Sequence, residues 1–149
     1  MPQLHESHAA LRIVGDALIP DDVSKLLGAT PTNSRVKGET WIGKSSGREY
    51  VAKSGAWHLS AEDCKPGDLD KQAADLLGKM TSDLDVWREL TGKFKVDLFC
   101  GWFMEDSNEG LSVSPRTMAA LAERGIKLDI GLYAPSLAGD VEHQVGHQS

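Results

Sequence analysis

Most of the features that advertise a function in a sequence are missing from this one. There are two cysteines, Cys64 and Cys100, in 149 residues, too few for a disulfide scaffold and in keeping with a reducing compartment. No apolar run approaches the ~20 residues of a membrane helix. The N-terminus, Met-Pro-Gln-Leu-His-Glu-Ser-His, has neither a basic nor an apolar segment of the kind that opens a secretory signal. A cytoplasmic protein with no membrane association is therefore expected. Basic residues are scattered and outnumbered, 16 against 22 acidic ones for a net charge of −6. That balance speaks against non-specific nucleic-acid binding, which needs a clustered basic surface. HExxH, CxxC and GxSxG patterns are absent, and no nucleophile, base and orienting group stand together in a recognised spacing. The sequence thus favours a non-enzyme, and no metal or cofactor is assigned.

What is present suits one globular domain. Hydrophobic residues make up 40% of the chain and charged residues 26%, ordinary values for a chain long enough to bury a core without cross-links. Ala9 to Gly15 alternates as a strand, and Pro20 to Leu27 carries the apolar spacing Val23, Leu26, Leu27 of a short helix stopped by Gly28. Residues 30–47 read as loop with a short strand near Trp41. Arg48 to Leu59 reads as strand interrupted at Gly55. Leu69 to Met80 is the clearest helix, capped by Asp68, and a second runs from Asp83 to Gly92 with Leu84, Trp87 and Leu90 inward. Phe94 to Glu105 is the strongest strand. It sets Val96, Leu98, Cys100, Trp102 and Met104 on one face and Asp97, Phe99, Gly101, Phe103 and Glu105 on the other. A short return strand is expected at Leu111 to Val113. Ser114-Pro115 opens a last helix with Met118, Leu121 and Ala122 as its stripe, and Leu128, Ile130 and Leu132 alternate in a last strand.

The expectation is an α+β domain over residues 9–134 with a mixed or mainly antiparallel sheet and helices packed on it. An N-terminal arm (1–8) and a flexible C-terminal tail (135–149) flank it. Pro20-x-x-Val23-x-x-Leu26-Leu27 echoes Pro115-x-x-Met118-x-x-Leu121-Ala122 at an offset of 95, which leaves open two related β-α-β halves.

Gly38-Glu39-Thr40-Trp41-Ile42-Gly43-Lys44-Ser45 matches the phosphate-loop pattern letter for letter. That loop needs a strand before it and a helix after it. Here Ser-Gly-Arg-Glu-Tyr-Val-Ala follows, which reads as turn then strand. Gly38, Gly43, Lys44 and Ser45 are therefore not taken as a nucleotide site. His143 and His147 stand four apart, yet Gly146 between them argues against the helix that would make them chelate.

The speculative binding residues are Arg12, Trp57, His58, Asp97, Trp102 and Asp129. Arg12, Asp97 and Asp129 meet on one sheet face if the strands near the two ends of the domain pair, either as an ion-paired outer face or as the floor of a binding site.

Leu11-Arg12-Ile13-Val14-Gly15 with Ile19-Pro20-x-x-Val23-x-x-Leu26-Leu27-Gly28-x-x-Pro31, Lys37-Gly38, Trp57-x-Leu59-Ser60, Leu98-Phe99-Cys100-Gly101-Trp102-Phe103, Leu111-x-Val113-Ser114-Pro115 and Leu121-Ala122-x-x-Gly125-Ile126-x-Leu128-Asp129-Ile130-x-Leu132-Tyr133 together resemble the bacterial family catalogued as domain of unknown function 4279. The resemblance spans about residues 9–134. It implies a common fold and supplies no catalytic residue. It also places Gly38 in a linker after the first helix, away from nucleotide chemistry.

Two function classes follow. The first is a non-catalytic interaction module, immunity-like or regulatory, whose negative charge steers it to a basic protein partner. The alternative is a small-molecule-binding protein or small enzyme with a pocket near Arg12, His58 and Trp102. A homodimer stays open, two-fold dimers being the commonest soluble oligomers.

Overall fold

A computed structural model describes residues 2–135. His143 and His147, with the rest of the expected tail from residue 136 on, lie outside the described residues. The elements run β1 (Glu6–Gly15), α1 (Pro20–Leu27), β2 (Asn33–Arg35), β3 (Thr40–Ile42), β4 (Glu49–Val51), β5 (Gly55–Ser60), α2 (Leu69–Gly78), α3 (Leu84–Lys93), β6 (Lys95–Phe103), α4 (Pro115–Glu123) and β7 (Lys127–Tyr133). Five strands form one mixed sheet in the order β2-β5-β1-β6-β7, and β3 and β4 form a separate hairpin. The first three pairings are antiparallel, while β6 and β7 run parallel. This is a single α+β domain with an open sheet.

Local chemistry accounts for the helices. Pro20 starts α1 without a side-chain cap, Asp21 and Asp22 sit at its positive end, and Gly28 closes it in the left-handed conformation at φ 69°. Asp68, Asp83 and Ser114 cap α2, α3 and α4 by accepting from the backbone N–H of Lys71, Asp85 and Thr117. The break expected at Gly55 separates β4 from β5. A Cβ there would lie 2.7 Å from the Leu18 carbonyl oxygen, so the strand starts where only glycine fits.

β1 lies at the centre of the sheet and begins at Glu6, so three residues of the expected arm belong to it. Its residues Ser7, Ala9, Leu11 and Ile13 are buried on one face. Trp57 and Leu59 of β5 and Leu98 and Cys100 of β6 join them in one core with Val23, Leu27, Leu69, Ala73, Leu76, Trp87, Leu90 and Leu121 from all four helices. The helices thus cover one face of the sheet. Two tryptophans of this core satisfy their indole N–H groups: Trp57 donates to Ser24 Oγ at 3.0 Å and Trp87 to the Thr81 carbonyl at 2.9 Å.

Two expectations are corrected. Leu111 to Val113 forms no strand. The chain there is held by a bridge between Gln3 and Gly110, with Leu4 N–H donating to the Gly110 carbonyl at 2.7 Å. The inward face of α4 is not Met118, Leu121 and Ala122: Met118 is 52% exposed, while Thr117 and Leu121 are buried. Asp70 decides the rotation. It accepts from Thr117 Oγ1 at 2.7 Å and from Ser114 N–H at 3.0 Å, which turns a polar residue inward and ties α2 to the start of α4. Those same bonds hold the Asp70 carboxyl below its usual range.

The two β-α-β segments of the sequence echo differ in closure. The β6-α4-β7 crossover joins adjacent parallel strands, whereas β1-α1-β2 returns two places away with β5 between.

Candidate functional site

Strand alternation dictates that the residues between the core positions point away from the helices. On β1 these include His8, Ala10, Arg12 and Val14. Register then decides their neighbours. Arg12 stands opposite His58 of β5 on one side and Asp97 of β6 on the other. Phe99 stands opposite Ala10 of β1 and Asp129 of β7, and Asp97 opposite Lys127. Asn33 of β2 faces His58. Four of the residues singled out from the sequence, Arg12, His58, Asp97 and Asp129, therefore share the face that no described helix covers.

Arg12, Asp97 and Asp129 are tightly paired. Arg12 grips Asp97 with two parallel hydrogen bonds, Nε to Oδ1 at 2.8 Å and Nη2 to Oδ2 at 2.7 Å. Asp129 lies 3.8 Å from Arg12 Nη2 and 3.5 Å from Lys127 Nζ. The Arg12 guanidinium also sits 4.7 Å above the Phe99 ring. The hydrogen bond to Asp97 raises the Arg12 pKa, partial burial acting against it. Burial works against the charge of Asp97, but its contacts with Arg12 and Asp129 outweigh that and hold the carboxyl below the usual range. Burial also pushes the His58 imidazole down, and the Arg12 charge adds to the effect. A carboxylate locked to a guanidinium and an imidazole kept neutral are poor proton donors at neutral pH.

Aromatic rings complete the face. Gly101 and Gly131 stand opposite each other on β6 and β7. Phe99 lies over Gly131, and Phe103 and Tyr133 lie over Gly101: a Cβ at either glycine would meet these rings at 3.4–3.6 Å. Phe103 and Tyr133 stack on each other at 4.6 Å with planes 11° apart. Phe99, Phe103 and Tyr133 thus make an aromatic plate in ordinary van der Waals reach of the two glycines. At the far edge, Arg35 of β2 stacks 4.3 Å from Trp41, which stacks in turn on Tyr50 at 5.5 Å. Sequence reasoning did not single out this plate. Its signal lies in the alternation Asp97, Phe99, Gly101, Phe103, which sets both phenylalanines on the polar face.

Trp57 and Trp102 do not join the group. Trp57 is one residue from His58 and so points the opposite way, fully into the core. Trp102 shares the side of Leu98 and Cys100 and packs against the core. A single pocket of Arg12, His58 and Trp102 is therefore not formed, because the sheet itself separates the indole from the other two. The described clefts are lined by other residues. One of about 760 Å³ lies between α1 and α3, with Ile19, Val23, Leu26, Leu90 and Phe94 on its walls and Asp22, Lys25, Glu89 and Lys93 among its lining. Another of about 920 Å³ lies between α2 and α4.

The remaining reactive side chains are quiet. Burial pushes the Cys100 thiol up to about 12, and it also raises Cys64; neither is a ready nucleophile. Among the described residues no group of three or more His, Cys, Asp or Glu is placed to hold a metal ion. No helix among them is long and apolar enough to cross a membrane. Gly38 to Ser45, the phosphate-loop look-alike, runs through β3 into the hairpin turn, where Gly43 N–H donates to the Arg48 carbonyl at 2.8 Å. The chain then enters β4, so the helix N-terminus that would receive a phosphate has no place in it.

The family model for the domain of unknown function DUF4279 matches residues 5–135. The chain belongs to that family. The match covers the whole sheet and all four helices, from the start of β1 past the end of β7. No curated protein and no solved structure matches the chain.

Proposed function

We propose that this chain is a non-catalytic protein-interaction module, immunity-like or regulatory in kind, that docks its partner on the uncovered face of the sheet. One observation carries the reading: a sheet face that no helix among the described residues covers presents Phe99, Phe103, Tyr133 and Arg12 side by side. Aromatic residues and arginine are the side chains that dominate binding energy at protein interfaces. Their geometry is set before binding, by the Phe103–Tyr133 stack and by the Arg12–Asp97 pair, so little ordering cost remains. The charge of −6 favours a basic partner by steering, which makes capture salt-sensitive.

The test compares tagged wild-type chain with the double variant Phe103→Ala, Tyr133→Ala in capture from the host lysate at low and high salt. A protein retained by the wild type should bind the variant at least about tenfold more weakly in titration, the loss of one or two interface anchors. Equal retention by both proteins, with the variant folded, would overturn the docking face.

The small-molecule reading has its best support away from the sheet, in the apolar groove between α1 and α3, whose size falls in the range of ligand sites. It predicts a metabolite released when the purified protein is denatured, with no protein partner retained.

A further inference from the structure

β7 ends the sheet, and its outer edge has no partner among the described residues. The direction of its free groups follows from one bond: Met104 N–H donates to the Tyr133 carbonyl at 3.0 Å, on the β6 side. In a parallel pair both backbone groups of a residue point to the same side and alternate along the strand. Lys127, Asp129, Gly131 and Tyr133 therefore turn inward to β6, and Leu128, Ile130 and Leu132 turn their N–H and C=O groups outward. These same three residues have their side chains on the helix side of the sheet, where Ile130 is 44% and Leu132 67% exposed. Edge strands are ordinarily protected by proline, a bulge or a charge. β7 contains no proline, pairs with β6 without a bulge, and carries no charge on its outward residues.

We infer that β7 is the interface through which two copies of this chain associate, edge to edge and antiparallel, about a two-fold axis at Ile130. This register is the one that uses the whole strand. It sets Ile130 against Ile130 of the second copy and Leu128 against Leu132, so each outward backbone pair is also an apolar side-chain pair. About six new backbone hydrogen bonds result. Charge agrees with the register. Lys127 comes opposite Tyr133 and Asp129 opposite Gly131, so no like charges face each other. The two Asp129 carboxylates come diagonal, each beside its own Lys127 and Arg12. The other sheet edge, β2, has only three residues and offers no comparable strand. Association would join two uncovered faces into one ten-stranded surface. The inference does not depend on that surface binding anything.

Sedimentation of the full chain over a wide concentration range tests it. The mass should rise from 16.1 kDa toward twice that value, with an affinity in the micromolar range because edge pairing buries less than a standard interface of about 1,600 Å². Ile130→Lys places two ammonium groups at the axis and should weaken association at least about tenfold. Leu132→Lys should also weaken it, and Ile130→Val should preserve it. Both positions are exposed, so at concentrations below the dissociation constant, where all are monomers, the melting temperatures of all three variants should stay near that of the wild type. A monomer at every concentration would overturn the inference and leave the edge to a strand of another protein. So would a dimer unaffected by either lysine variant.

Discussion

The two faces of the five-stranded sheet are made by the same strands, one residue out of step. Trp57 faces the helices and His58 does not; Leu11 faces the helices and Arg12 does not. The covered face is an apolar core with Ser7, Gln72 and Thr117 as its buried polar exceptions. The uncovered face keeps Arg12, Asp97, Asp129, the histidines His8 and His58 and the rings of Phe99, Phe103 and Tyr133. The lesson is that water, not strand propensity, sorts the residues. On the covered face a side chain is held by area removed from water. On the uncovered face Arg12, Asp97 and Asp129 are held by one another across register.

Four experiments test this contrast. The largest effect is expected at Trp57→Ala. It empties the core and strips Ser24 of its indole donor, so unfolding free energy should fall by about 3–5 kcal/mol in a denaturant titration. A loss below about 1 kcal/mol would mean that the core is looser than its burial implies.

The next concerns the buried Ser7–Gln72 pair. Ser7 Oγ donates to Gln72 Oε1 at 2.8 Å, and Gln72 Nε2 donates to the carbonyls of Ser7 and Glu62, both at 2.9 Å. Gln72→Ala removes the acceptor of the buried Ser7 hydroxyl and the Nε2 donor to the Glu62 carbonyl, while the Ser7 carbonyl keeps the Cys64 N–H; it should cost about 1–3 kcal/mol in the same titration.

On the uncovered face Arg12→Met removes the grip on Asp97. The pair is partly solvated, Arg12 at 36% and Asp97 at 18% side-chain exposure, so a loss of about 1 kcal/mol is expected. A loss as large as that of Trp57→Ala would abolish the distinction between the faces.

The smallest effect is a pH dependence. Burial and the Arg12 charge lower the folded-state pKa of His58, so the unfolded chain binds its proton first. Stability is full above the ordinary histidine pKa of about 6.5 and declines as pH falls from there toward the lower folded value. Melting curves of His58→Gln against wild type should show that part of the slope vanish.

The elements with local causes are legible in the amino-acid order. Asp68, Asp83 and Ser114 announce helix starts because a cap bonds to an N–H two or three residues away. The two faces of β6 are legible because alternation is a property of one strand. The inward face of α4 is not, because apolar count selects Met118, while a hydroxyl-to-carboxylate bond across to α2 selects Thr117. The meeting of Arg12, Asp97 and Asp129 can be anticipated only on condition that their strands pair. The Trp102 pocket fails on the same condition, since the face of each strand can be read alone but its alignment with another strand cannot.

One α+β domain, most of its helix limits, the alternation of its strands and the unsuitability of Gly38 to Ser45 for a phosphate all follow from the order of residues along the chain. Each of these is a short-range effect of dihedral preference, capping or periodicity. Four other facts belong to the folded chain alone: β1 is central, Arg12 stands between His58 and Asp97, rings lie over Gly101 and Gly131, and β7 is an edge without a partner among the described residues. They depend on register between distant segments, as with Arg12 and Asp97, which are 85 positions apart. Register is chosen by the pairing that buries the most apolar surface across the whole sheet, which no single segment contains.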